Sequence, residues 1–311
     1  LGKLAFLFPG QGSQSVGMGL SAAEKDIRVK ARFEEADEIL GYSLSDLCFR
    51  GPEDELRLTA NAQPALLTTS VALLPFFEEK GIVPDYVAGH SLGEYSALVA
   101  AGALQFSDAV KTVRKRGLLM EEAVPAGEGA MSAIIGLDRE AVEKVCLEVQ
   151  EAGGVVEPAN YNCPGQIVIS GEAKAVATAG EGCKNAGARR VMPLSVSGPF
   201  HSRLMKSAAL EMEKVLQACD IQDAKVPILS NVSARPQQQA KEIRHSLVEQ
   251  VASPVLWEDG IRRMIADGVE TFVEIGPGNV LSGLVRKVDR KVVALSVQDQ
   301  DSFTNVLDRL S

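Results

Sequence analysis

The chain has 311 residues, 46% of them hydrophobic and 23% charged, with a formal net charge of -9. This is globular composition and excludes a disordered or collagen-like chain. The acidic balance argues against a general ligand of nucleic acid or anionic membranes, since like charges repel, though a local basic patch can still serve one partner. At roughly 100–200 residues per domain, one large domain or two unequal ones are expected. No apolar run reaches the roughly 18 residues of a membrane span. The run from Leu4 to Phe8 is too short for a signal peptide. Five cysteines (Cys48, Cys146, Cys163, Cys183 and Cys219) are scattered without a CxxC pair, which reads as reduced thiols rather than a disulfide frame or zinc site. A cytoplasmic protein is expected, with plastid or mitochondrial matrix as the alternative if a targeting segment was removed.

Apolar runs alternate with segments of helical period, the sign of an α/β fold. Leu4 to Phe8 is a buried strand ended by Pro9-Gly10. Val71 to Lys80 reads as the end of a helix despite Pro75. A short strand at 85–88 leads into a helix rich in small residues from Gly93 to Ala101. From 126 to 195 the rhythm changes. A strand (130–136), a helix (139–151) with Asp138 as N-cap, two strands (155–160 and 166–170) about a Cys163-Pro164-Gly165 turn, a helix (173–186) and a strand (190–194) follow in turn. This β-α-β-β-α-β order is that of a ferredoxin-like unit. Residues 126–195 are therefore expected to form a small domain inserted into a large one made of 1–125 and 196–311. Further on, strands are expected at 226–230, 271–275 and 292–297, and helices at 204–219, 241–251 and 257–266.

Gly89-His90-Ser91-Leu92-Gly93 matches G-x-S-x-G between a predicted strand and a predicted helix, the context of a nucleophile elbow. The turn thrusts the serine hydroxyl out at the sheet's edge, and the following helix aims its N–H groups at the same spot. A plain structural turn is the competing reading. A serine nucleophile needs a base, and the chain has three histidines. The side chain of His90 should point away from its neighbour. His245 lies in a polar helical stretch and reads as a surface residue. His201 follows Gly198-Pro199-Phe200, which fixes the backbone as a positioned side chain requires, and it serves either as base or as a capping or core histidine. No acid stands out as a third member. Asp223 and Asp259 read as ordinary polar-face residues, and a main-chain carbonyl could hold the histidine instead.

Two further features bear on chemistry. Pro9-Gly10-Gln11-Gly12-Ser13-Gln14 directly follows the first strand and either presents N–H groups to an oxyanion or forms a plain tight turn. Its glycine spacing fits neither a P-loop nor a dinucleotide fingerprint. On the predicted helix 106–122, Lys115 lies opposite the apolar stripe, whereas Arg114 and Arg116 flank it. Arg116 is marginally nearer and lies one turn before Met120; a flanking Arg is usually solvated.

Together these stretches resemble the malonyl-CoA:acyl-carrier-protein transacylases of fatty-acid and polyketide synthesis. The resemblance is carried by Phe6 to Gln14, Gln63-Pro64, Gly89 to Tyr95, Arg116-Gly117, Pro158 to Asn162, Gly198 to Ser202, Asn231 to Ala234, Gln250 and Glu274 to Gly278, in order along nearly the whole chain. It implies an α/β-hydrolase-like large domain with a ferredoxin-like insert. It implies Ser91 as nucleophile, His201 as base, and the backbone N–H groups of Gln11 and Leu92 as oxyanion hole. Arg116 would hold the malonyl carboxylate and the main-chain carbonyl of Gln250 would orient the histidine. Gln63, His90, Met120, Asn160, Phe200 and Asn231 would line the pocket. It further implies malonyl-CoA as donor, acyl carrier protein as transient acceptor, and no metal or bound cofactor, and a monomer suffices. Docking an acidic carrier needs local positive charge. Lys184, Arg189 and Arg190 offer one patch; Arg286 and Lys287, with Arg290 and Lys291 nearby, offer another, each equally readable as a solvated face. A serine hydrolase and a non-catalytic carrier-binding module are the rival functions.

Overall fold

The computed structural model describes residues 2–310. Ten strands occur among them: β1 Lys3–Phe8, β2 Tyr86–Gly89, β3 Gly129–Ile135, β4 Val156–Cys163, β5 Gln166–Glu172, β6 Arg190–Pro193, β7 Ile228–Leu229, β8 Pro236–Gln237, β9 Val269–Ile275 and β10 Val293–Val297. Six of them form one sheet in the order β10-β9-β1-β2-β7-β8, parallel throughout except for β8. β1 sits at its centre because both of its faces are apolar. Ala5 and Leu7 point into a core with Trp257, Ile261 and Leu284, while Phe6 and Phe8 point into a larger one with Leu66, Phe77 and Val113. Helices cover both sides, as a parallel sheet requires.

The other four strands form an antiparallel sheet in the order β4-β5-β3-β6. With helices Arg139–Glu151 and Ala173–Asn185 between its strands, this is the ferredoxin-like arrangement. Ile134, Ile167 and Ile169 face those two helices, whereas Met131, Ala133 and Val168 belong to the core of the larger sheet. Period-two alternation thus gives the small sheet one private face and one that looks onto its neighbour. A β-bridge from Asn160 to Val255 ties the two together.

Several predicted elements shift. The helix expected to end through 71–80 is two helices, Thr59–Ala72 and Leu74–Glu79, because Pro75 tolerates only the first turn of a new helix. The strand expected at 226–230 keeps only the two residues of β7. The first hairpin strand runs on to Cys163, with irregular register beyond Pro158. The helix expected from Leu204 opens with a short 3-10 turn, Arg203–Met205, before Lys206–Gln217.

The carboxyl ends of β1 and β2 lie side by side, with His90 N–H donating to Phe8 O at 3.1 Å. Ligands of open parallel sheets bind beyond such strand ends. Two glycines make the approach possible. A Cβ on Gly10 would stand 2.3 Å from the His90 carbonyl oxygen, and one on Gly93 would stand 2.1 Å from the Phe8 carbonyl oxygen. The Gly-rich loop after β1 and the turn after β2 therefore meet through backbone alone.

Candidate active site

β2 ends at Gly89, and helix Gly93–Ala100 starts two residues after Ser91. Ser91 has a φ of 53° and His201 a φ of 59°. Left-handed backbone is strained for residues with a Cβ, and proteins keep such strain mainly where it positions a functional group. Here it turns two side chains toward one another. Ser91 Oγ lies 2.7 Å from His201 Nε2.

The other ring nitrogen of His201, Nδ1, donates to the main-chain carbonyl of Gln250 at 2.8 Å. Gln250 is the last residue of helix Ala240–Gln250, where carbonyls lack a helical partner and carry partial negative charge. No acid fills that place. Asp223 instead accepts from the N–H of Ala240, and Asp259 pairs with Arg139 at 3.0 Å. Burial, reinforced by Arg116, pushes the His201 imidazole down to about 3, so it is neutral at neutral pH and free to accept a proton. His245 is exposed and pairs with Glu249.

Arg116 is 1% exposed. The flank of the apolar stripe is buried because helix Phe106–Glu122 packs against helix Thr59–Ala72 along that side. Arg114, on the other flank, caps the Ala60 carbonyl and Asn61, and Lys115 is exposed. The Arg116 guanidinium donates to Gln63 Oε1 (2.9 Å), to Gln250 Oε1 (2.8 Å) and to Ser91 Oγ (3.2 Å). The Tyr95 ring lies 5.7 Å away. Its Nε has no partner, and among the described residues no carboxylate forms an ion pair with it. A buried guanidinium left without an anion is costly, which is the condition of a site that receives one.

A cleft of about 90 Å³ opens over these groups. Gln11, His90, Ser91, Leu92, Arg116, Met120, Asn160, Phe200 and His201 line it, all among the expected residues. Among the described residues, no partner within the protein takes the backbone N–H of Gln11 or Leu92. The Gln11 amide ties the loop to Thr59 at 2.9 Å. As expected, His90 lines the cleft while its ring points away from the neighbouring Ser91. It lies in the wall, stacked 5.3 Å from Trp257, with Nε2 bonded to Asn162 Oδ1 rather than to Ser91.

Two residues expected in the lining stand one layer behind it. Gln63 braces Arg116 from the protein side, its amide nitrogen 3.6 Å from Met120 Sδ. Asn231 sits beneath the turn, accepting from the Ser91 N–H and donating to Gly89 O, both at 2.8 Å. The sequence reading missed Met131, Leu194 and Val196, which the small sheet and its exit segment bring to the cleft. It also missed Glu94. This carboxyl is 3% exposed and accepts from Asn231 N–H (3.0 Å) and the Gln250 amide (2.7 Å). Burial pushes it up to about 7, against those two hydrogen bonds and the Arg116 charge. Lys184, Arg189, Arg190, Arg286 and Lys287 are all exposed. Lys184 pairs with Glu181, and Arg286 donates to Ala294 O.

The chain is similar over its whole length to known acyl transferases. The acyl transferase domain model matches residues 5–304. The malonyl CoA-acyl carrier protein transacylase of Bacillus subtilis is 58% identical, with 100% of this chain and 98% of that protein aligned. An acyl carrier protein S-malonyltransferase from Vibrio cholerae superposes with a TM-score of 0.95 at 46% identity, covering 98% and 99% of the two chains. A malonyl-transacylase solved in complex with its type II PKS acyl-carrier protein superposes at 0.96, also at 46% identity, with 99% of each chain covered. Identity this high over the whole length of both partners means that the chain belongs to the acyl transferase family, in its malonyl CoA-acyl carrier protein transacylase branch.

Proposed function

We propose that the protein moves a malonyl group from malonyl-CoA to the phosphopantetheine thiol of acyl carrier protein in two half-reactions through a malonyl ester on Ser91. The observation that carries this reading is the unpaired, buried guanidinium of Arg116, 3.2 Å from the Ser91 hydroxyl. A neutral acyl group would leave that charge stranded; a free carboxylate on the acyl group would satisfy it.

In the first half-reaction Ser91 Oγ attacks the thioester carbonyl while His201 Nε2 takes the hydroxyl proton. The Gln250 carbonyl, bonded to Nδ1, steadies the imidazolium that forms. Negative charge on the carbonyl oxygen is met by the N–H groups of Gln11 and Leu92. Collapse breaks the carbon–sulfur bond, and His201 returns its proton to the CoA sulfur. The carrier's thiol then gives its proton to His201 and attacks the ester carbonyl; collapse breaks the carbon–oxygen bond to Ser91, and His201 passes that proton to Ser91 Oγ. Thioester is exchanged for thioester, so the reaction is nearly isoenergetic and calls for neither metal nor redox cofactor.

The unit of residues 126–195, set between 1–125 and 196–311, contributes the cleft wall containing Met131 and Asn160. Lys184, Arg189 and Arg190, or Arg286 and Lys287, would meet the acidic carrier, acting mainly on association rate. Ser91, His201 and Arg116 are all supplied by this chain, so a monomer suffices for the chemistry. No helix among the described residues is long and apolar enough to cross a membrane. The five cysteines are free, which favours the reducing cytoplasm.

Intact-mass measurement tests the reading. Brief exposure to malonyl-CoA should add one malonyl group to the protein, and carrier protein should remove it. Steady release of malonate without carrier would mean a hydrolase, and no adduct would mean a binding module. Gln250→Ala should be milder than His201→Ala in the transfer assay, because the carbonyl that orients the imidazole survives side-chain truncation. Equal loss would show that the Gln250 side chain matters as much as the base.

A further inference from the structure

The reaction steps above leave a buried carboxyl beside the site without a part: Glu94, in the first turn of the helix that follows Ser91. We propose that Glu94 is a positioning residue that sets the orientation of the Gln250 amide and through it holds the Arg116 guanidinium ready for the malonyl carboxylate. This rests on Arg116 being the carboxylate's partner.

In this arrangement both carboxyl oxygens of Glu94 accept hydrogen bonds. Glu94 Oε1 takes the backbone N–H of Asn231, which cannot turn, and Oε2 takes Gln250 Nε2 at 2.7 Å. The same Nε2 faces the Ser91 carbonyl at 2.9 Å and Asn231 Oδ1 at 3.2 Å. Three acceptors therefore converge on the nitrogen end of the amide. Its oxygen end is left facing Arg116 Nη2 at 2.8 Å. The flipped amide would set oxygen against carboxylate and N–H against guanidinium, so Glu94, which makes the shortest of the three contacts, is the main selector between the two rotamers. A carboxylate touching Arg116 directly would compete with the substrate. One amide away, Glu94 offsets the buried cation without occupying its fork.

The isosteric change Glu94→Gln separates this role from simple charge loss. The introduced amide must offer its oxygen to the fixed Asn231 N–H. Its NH2 then faces Gln250 Nε2 and drives that amide to flip, turning a donor onto Arg116. The test is steady-state transfer to holo carrier protein from malonyl-CoA and from acetyl-CoA, which lacks the carboxylate, with melting curves as a check on folding. KM for malonyl-CoA should rise about tenfold or more, the order expected for one charge-assisted hydrogen bond turned repulsive. Malonyl kcat and both acetyl parameters should change less. In an Arg116→Ala background, Glu94→Gln should add no further malonyl loss. Parallel loss with both substrates, or additive loss in the double variant, would reduce Glu94 to a structural residue and overturn the proposal. If Glu94→Gln does not fold, Gln250→Met removes the amide relay at similar volume. Raised malonyl KM with little change for acetyl would support the proposal; an unchanged malonyl preference would overturn it. Failure of the wild-type chain to transfer malonyl would sink the parent reading, whereas normal wild-type transfer with an unaffected Glu94→Gln variant would sink this inference alone.

Discussion

Ser91→Ala should abolish the malonyl adduct and lower transfer by roughly 10⁴-fold or more, the scale seen when a nucleophile that works as a unit with its base is removed. The geometry leaves no substitute. His90 and His201 are the other nucleophilic side chains lining the cleft, but His90 Nε2 is engaged by Asn162 and burial holds the basicity of both rings down. The cysteines of the chain lie outside the cleft lining. The fold should survive, because Ser91 meets its neighbours through backbone as well as hydroxyl: its N–H is held by Asn231 and its carbonyl by Gln250. Alanine also has a Cβ, so the strain at φ 53° is unchanged. Intact mass before and after malonyl-CoA, beside a melting curve, reads both quantities. A variant with normal stability that still acquired a malonyl group would move the nucleophile elsewhere and end the mechanism.

Legibility in the sequence followed how local each determinant is. Helix Phe106–Glu122 and helix Arg139–Glu151 have the bounds their periodicity predicts, and Asp138 accepts from Ala141 N–H as an N-cap should. The elbow was readable because its requirements, glycine beside serine between strand and helix, all fall within five consecutive positions. Arg116 was not readable from periodicity. Its burial depends on helix Thr59–Ala72, which lies some fifty positions away in sequence and packs along the flank of the stripe. Resemblance to a family supplied what the pattern could not. Glu94 escaped for the opposite reason: an acid in the first turn of a helix already has a complete explanation in the helix dipole. Its two partners, Asn231 and Gln250, come from distant segments. Met131 illustrates a third limit. Alternation in β3 correctly separates two faces, but which neighbour each face meets depends on the packing of one sheet against the other.

Arg116→Ala should lose malonyl transfer by about 10²–10³-fold in kcat/KM, the sum of two charge-assisted hydrogen bonds in a buried fork. The same change should bring malonyl-CoA and acetyl-CoA closer together. In the wild type, acetyl binding leaves the guanidinium buried and unpaired; without the guanidinium that penalty disappears. Arg116→Lys separates charge from shape. The ammonium keeps the positive sign but lacks the planar fork that meets Gln63, Gln250 and an incoming carboxylate together. It should recover part of the malonyl preference and little of the rate. The measurement is kcat/KM for both acyl-CoA substrates with each variant. Malonyl kinetics that survived Arg116→Ala unchanged would mean that the carboxylate is held elsewhere, and the buried cation would then need another explanation. A uniform loss across both substrates would show that Arg116 acts on Ser91, 3.2 Å from its Nη2, rather than on the acyl group. Only a loss confined to the carboxylate-bearing substrate makes Arg116 the selector of the acyl group.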